Sequence, residues 1–228
     1  MATHTKAPGT VASDSRDAGT EVWGNANNAK ALDGSFADVN TAGGVSDSEY
    51  LLCSNYGFSL LGESLAGIQV TIHRKVTEGV GCAGSCSAAD RTVKLVNEVN
   101  VLEGSNKAAV GDWPTVLAAK VYGGAADIWG TTLNSTDVED SDFGVALDVD
   151  LDGTDDEITA EVDYVEITVT TVAGTGTDGA SAFIYLLCKL CLFVGSGLGS
   201  RILNLFSTIG LIKLITHRRF PGTVSVSN

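Results

Sequence analysis

The chain has 228 residues, 44% of them hydrophobic and 18% charged, which is enough apolar material for a sizeable core and excludes a disordered chain. The net charge is -14, with -19 on residues 1–179 and +5 on the remainder, so the body is a poor match for nucleic-acid phosphates, which need Lys and Arg to displace counterions. Glycine is abundant (27) and proline scarce (3), the composition of a chain with many turns and few rigid spacers.

Residues 1–22 are Thr, Ser, Ala, Gly and Asp with almost no apolar periodicity, and they read as an extended N-terminal arm, mobile or bound to a partner. The first ten residues lack the basic start, apolar stretch and small-residue cleavage site of a secretory signal. From Trp23 to about residue 172, short apolar runs alternate with Gly, Asn, Asp and Ser clusters. That is the pattern of an antiparallel β-sandwich.

Strict alternation predicts a strand over Ala66–Arg74 (Ile68, Val70 and Ile72 on one face) and another over Arg91–Val96. The strongest hairpin signal is Phe143–Leu151 followed by Ile158–Thr171, joined by Asp152-Gly153-Thr154-Asp155-Asp156. On the return strand the apolar phase slips between Tyr164 and Val165, which predicts a β-bulge.

Residues 173–181 read as a flexible linker, and composition changes abruptly beyond it. Residues 182–194 and 201–215 are apolar runs split by a glycine-rich break, the second with helical spacing. Each is shorter than the roughly 20 residues that span a bilayer as a helix. Both expose too much apolar surface to stand alone in water. Phe183, Leu187, Leu192, Ile202, Leu205, Phe206, Ile209 and Ile212 are therefore the candidate attachment residues of a basic, apolar segment, 182–228. Burial on protein is the favoured reading, with membrane contact and a core element of one continuous domain as the others.

Several patterns invite chemistry. Asp148, Asp150 and Asp152 before Gly153 resemble positions 1, 3 and 5 of a calcium loop, with Asp156 as a further ligand. The twelfth position is Thr159 rather than the usual Glu, and a solvated strand face with an Asp-Gly turn explains the same residues. Cys82/Cys86 and Cys188/Cys191 could be halves of a zinc site, but the spacing of the first pair is wide; a loop disulfide or free thiols account for them as well. Gly195, Gly197 and Gly199 lack the full dinucleotide spacing, and no acidic residue follows them. His4, His73 and His217 are scattered, and no Ser or Cys sits in a nucleophile motif, so no catalytic residue is assigned. Trp113 and Trp129 could stack on sugar rings; the competing reading is packing at the core or rim.

Residues 23–170 carry, in order, Trp23-Gly24-Asn25, Asp33-Gly34, Tyr56-Gly57-Phe58, Ile68-Gln69-Val70-Thr71-Ile72, Trp113-Pro114, Tyr122-Gly123-Gly124, Asp127-Ile128-Trp129-Gly130, Phe143-Gly144-Val145 and Asp163-Tyr164-Val165. In these motifs the segment resembles a β-sandwich module that recurs in virion structural proteins of tailed phages. It implies an all-β, jelly-roll-like antiparallel sandwich and a non-enzymatic surface or tail accessory subunit in the virion. Its partners would be other capsid or tail proteins and further copies of itself, with no nucleic acid. The chain departs from that pattern at Cys82–Cys86 and after Thr171. The alternatives are a carbohydrate-binding host-adsorption module and a membrane-anchored protein with an external β domain. No cofactor is implied beyond the calcium reading.

Overall fold

A computed structural model describes residues 1–174 apart from 17, 83 and 155. Its strands are β1 (Ala2–Lys6), β2 (Thr10–Asp14), β3 (Ala37–Ala42), β4 (Val45–Asp47), β5 (Tyr50–Ser54), β6 (Ser64–Glu78), β7 (Ser87–Val96), β8 (Leu102–Glu103), β9 (Ala118–Gly123), β10 (Gly144–Asp152) and β11 (Glu157–Val172). One short helix, α1 (Ser135–Glu139), begins at a capping box in which the Asn134 side chain accepts from the Thr136 and Asp137 amides and Asp137 accepts from the Asn134 amide.

The strands form two sheets. The first runs β1–β11–β6–β9, with β3 alongside the other half of β11; the second runs β2–β5–β10–β7–β8, with β4 alongside the other half of β10. Every strand pairing is antiparallel. Successive strands repeatedly cross from one sheet to the other, and this wrapped order is that of a jelly roll. The antiparallel sandwich expected from the sequence is the fold observed.

Alternation explains the long strands. Val145, Leu147, Val149 and Leu151 of β10 are buried, and so are Ile68, Val70 and Ile72 of β6. On β11 the inward set is Ile158, Ala160 and Val162, then Val165, Ile167 and Val169. The register with β6 shifts between Val162 and Tyr164, which places the bulge at Asp163, just before the predicted slip. Asp163 is buried, and its carboxylate accepts from the Asp33 and Gly34 amides, so the bulge anchors the loop leading into β3.

Two expectations are corrected. Phe143–Leu151 and Ile158–Thr171 do not pair as a hairpin: β10 lies in the second sheet and β11 in the first. Their apolar faces oppose each other across the core instead of sharing one sheet surface. The same alternating pattern serves either arrangement, and the Asp-Gly turn serves as a crossing. Likewise, the stretch read as a free N-terminal arm contributes two edge strands to the sandwich. β1 pairs with residues 167–171 and β2 pairs with β5. Edge strands are held by backbone hydrogen bonds and need few apolar side chains; of β2 only Val11 is buried.

The crossings sort to the ends of the sandwich. Ala2 lies opposite Thr171, so the start of β1 and the end of β11 share one end. At another, the β3–β4, β6–β7 and β10–β11 connections meet: the Gly43 amide donates to the Gly153 carbonyl (3.0 Å), and the Gly79 amide to that of Glu157 (2.8 Å).

Gly144 marks the tightest strand contact, since a Cβ there would lie 1.9 Å from the Cys53 carbonyl oxygen. Gly144→Ala is therefore expected to lower the unfolding free energy by about 2 kcal/mol or more. Gly44→Ala, which meets open space, should leave it unchanged or slightly raised. Urea titration of the two variants checks this, and equal midpoints would contradict the close approach of β5 and β10.

Candidate functional site

Two arginine-centred polar clusters stand out among the described residues, one inside the sandwich and one on its second sheet. Inside, Arg74 occupies the apolar phase of β6, in line with Ile68, Val70 and Ile72, so its side chain enters the core. It forms an ion pair with Asp90 of β7, which makes this a charge contact between the two sheets. Asp90 Oδ1 also accepts from Trp113 Nε1 (2.8 Å), and Oδ2 accepts from the Tyr122 hydroxyl (2.8 Å) and the Ala109 amide (2.9 Å). The Arg74 guanidinium lies over the Trp113 ring at 4.6 Å and near that of Tyr122 at 5.8 Å. Burial pulls the Arg74 pKa down and pushes the Tyr122 phenol up, and the two groups' charge coupling opposes both shifts.

This cluster settles the position of the tryptophans considered for sugar binding. Trp113 is 3% exposed and Trp129 is 0% exposed, so neither offers a ring face to a glycan. Trp129 donates through Nε1 to the Ile68 carbonyl (2.8 Å) and Trp23 to that of Glu49 (2.8 Å). Each indole is a core body whose N–H has an acceptor within the fold.

The outer cluster corrects the calcium reading. Asp148 is buried, with Oδ2 accepting from Arg91 Nη1 at 2.9 Å while Oδ1 has no hydrogen-bond partner. Arg91 Nη1 also lies 3.3 Å from Asp47, and its Nε 3.7 Å from Asp150. Asp47 and Asp150 stand directly opposite each other in the β4–β10 register. Asp152 instead accepts from the amide and hydroxyl of Thr154, and Asp156 from the amides of Gly81 (2.6 Å) and Glu157 (2.8 Å). The four expected ligands are thus divided between an arginine cluster and two turn caps. Among the described residues no group of three or more His, Cys, Asp or Glu is arranged to hold a metal. The reason is geometric: alternate residues on a straight strand are roughly 7 Å apart, whereas a calcium loop must curl its carboxylates around one point.

Arg91 and Asp47 were not singled out by sequence. The register of β10 against β7 shifts between Asp148 and Val149, and this irregularity brings Arg91 over the acidic strand. A lone arginine in a strand facing an Asp-x-Asp strand was the available signal. Burial pushes the Asp148 carboxyl up to about 6; Arg91 opposes the shift, and the charges of Asp47 and Asp150 reinforce it. Asp150 is raised by burial and by its hydrogen bond to Asp47.

A histidine, a carboxylate and a hydroxyl meet at His4, Glu63 and Thr171, where the Thr171 hydroxyl also donates to Glu63 Oε2. His4 Nε2 meets Glu63 Oε2 at 2.9 Å and Thr171 Oγ1 at 3.5 Å. One nitrogen faces both groups, so the ring cannot relay a proton between them, and Thr171 is fully buried. The His73 ring packs near that of Tyr164. Cys82 and Cys86 are joined to each other, which removes them from a zinc site, and burial pushes the thiol of free Cys53 up. His217, Cys188, Cys191, the glycines at 195, 197 and 199, the linker 173–181 beyond Gly174, and the attachment residues from Phe183 to Ile212 lie outside the described residues.

Two predictions follow from the charges. Asp90→Asn keeps the shape but removes the counter-charge of a buried guanidinium, and it is expected to cost about 3–5 kcal/mol. Tyr122→Phe, which deletes one hydrogen bond, should cost about 1 kcal/mol. Equal small losses in denaturant titrations would contradict the bridging role of Asp90. For Asp148, the folded carboxyl holds its proton more tightly than the unfolded one, whose ordinary value is 3.8. Protonation therefore stabilises the fold below pH 6, and this contribution is lost as the pH rises through about 6. Wild type should gain about 1 kcal/mol relative to Asp148→Asn between pH 7.5 and 5. Parallel stability profiles for the two proteins would refute the assignment.

Comparison of the chain with protein-family models and with curated proteins finds no match, so the two clusters are interpreted on their own geometry.

Proposed function

We propose that the chain is a non-enzymatic structural subunit of a tailed-phage particle, a decoration, fibre-base or tail accessory protein that attaches through its terminal end and presents an acidic sandwich outward. The observation that carries this reading is the pairing of Ala2 with Thr171. It puts the start of β1 and the end of β11 at one end of the sandwich, and in sequence the apolar, cationic stretch 182–228 follows β11.

Three further features support it. The sandwich interior is filled by side chains, in the manner of jelly rolls used as building blocks in capsids. Two of its arginines pair internally, Arg74 with Asp90 and Arg91 with Asp47, Asp148 and Asp150. A disulfide in the β6–β7 crossing suits a surface that works outside a reducing cytoplasm. The residues offered for sugar stacking are buried, so host adsorption through Trp113 and Trp129 is not favoured.

The test is the solution mass of the full-length chain and of a 1–178 truncation, by light scattering on a size-exclusion column without detergent. A defined homo-oligomer that becomes a monomer on truncation is the expected result, since closed symmetry buries the apolar segment in several copies at once. Two monomers would remove the assembly role. A full-length chain soluble only in detergent, beside a well-behaved truncation, would replace it with a membrane anchor.

A further inference from the structure

Cys82 and Cys86 close a small loop within the crossing from β6 to β7. Their sulfurs lie against the neighbouring β10–β11 crossing, Cys82 Sγ 3.6 Å from the Glu157 carbonyl oxygen and Cys86 Sγ 3.8 Å from that of Asp156. In the bridged state neither sulfur carries a proton. As thiols, both would point an S–H donor at a waiting acceptor. The frame around the pair therefore suits either oxidation state.

The bonds that hang this crossing on its neighbour involve no sulfur. The Gly79 amide donates to the Glu157 carbonyl (2.8 Å) and the Gly81 amide to Asp156 Oδ2 (2.6 Å), while within the crossing the Cys82 amide donates to the Gly79 carbonyl (3.2 Å). A bridge over so few residues also removes little freedom from the unfolded chain. It adds little to global stability and much to the local stiffness of the place where the crossings meet. Both cysteines are buried, Cys86 slightly less so (5% exposed against 0% for Cys82), and each adjoins an exposed residue, Gly81 for Cys82 and Ser85 for Cys86.

We propose that Cys82 and Cys86 form a lock that closes after folding, when a small-molecule disulfide such as oxidised glutathione meets the finished sandwich. The Cys86 thiolate attacks one sulfur of the oxidant, forming a mixed disulfide and releasing one thiolate. The Cys82 thiolate then attacks the Cys86 sulfur, forming the internal bond and releasing the second. The protein pair loses two electrons, the oxidant gains them, and the two thiol protons end on the released thiols. The lock stands apart from the virion assignment, because it requires only a chain that folds under reducing conditions and works under oxidising ones.

The experiment starts from the reduced full-length chain and follows addition of glutathione disulfide by peptide mapping and amide hydrogen exchange. The reduced chain is expected to retain protection in β5, β7 and β10 and to form the 82–86 bond without unfolding. Closure should slow exchange in 79–87 and 153–157 about tenfold or more, with the central strands unchanged. Cys82→Ser should trap one glutathione on Cys86, and Cys86→Ser should trap it on Cys82 about tenfold more slowly. Loss of protection throughout the reduced sandwich would show that the bond is needed for folding, which overturns the proposal. So would equal exchange at the crossings in both states, or equal trapping rates in the two variants.

Discussion

The two sheets are joined across the core by the ion pair of Arg74 of β6 with Asp90 of β7, and the surrounding chain is organised around that contact. A guanidinium taken out of water costs several kcal/mol unless a counter-charge is supplied beside it. Asp90 supplies the charge, and it also gathers the Trp113 indole, the Tyr122 hydroxyl and the Ala109 amide. One carboxylate thus ties the first sheet, the second sheet, β9 and the connection before β9. A sandwich held by apolar contact alone could slide by a residue at small cost. A buried pair with fixed partners has one arrangement, because every other leaves a charge unpaired.

The outer cluster shows the same chemistry under a different constraint. Asp47 and Asp150 face each other across a strand pair, and like charges in that position repel. Arg91, placed over them by a register shift, compensates only part of the charge, and Asp148 is pushed towards its neutral form by burial. Inside, the charges match and specify position. On the second sheet they are in excess, and the excess makes this face sensitive to mild acid. In both clusters the arginine and the carboxylates meet each other across strands.

Strand content was legible in the sequence because alternation is a property of one strand. Ile68, Val70 and Ile72, and the run from Val145 to Leu151, announce which side of their backbone is buried. The phase slip near Tyr164 announced an irregularity, found at Asp163. Pairing was less legible. An apolar face meets a core equally well whether the next strand lies beside it or across from it, so β10 and β11 read as a hairpin although they belong to opposite sheets. β1 and β2 read as an arm because their hold on the fold is backbone hydrogen bonding, which every residue but proline can make.

Composition and local spacing were sufficient for an antiparallel sandwich, for an acidic body and a cationic apolar segment, and for the phase of each long strand. These depend on the order of side chains along a single stretch of backbone. The partners of those side chains depend on residues far away in the chain. Asp148 could be read as a ligand until Arg91, 57 positions earlier, was found against it. Trp113 could be read as a platform until Asp90 was found receiving its N–H. Long-range pairing brings such groups together, and it is set by how two sheets close on one another, a competition among whole arrangements that no local pattern encodes.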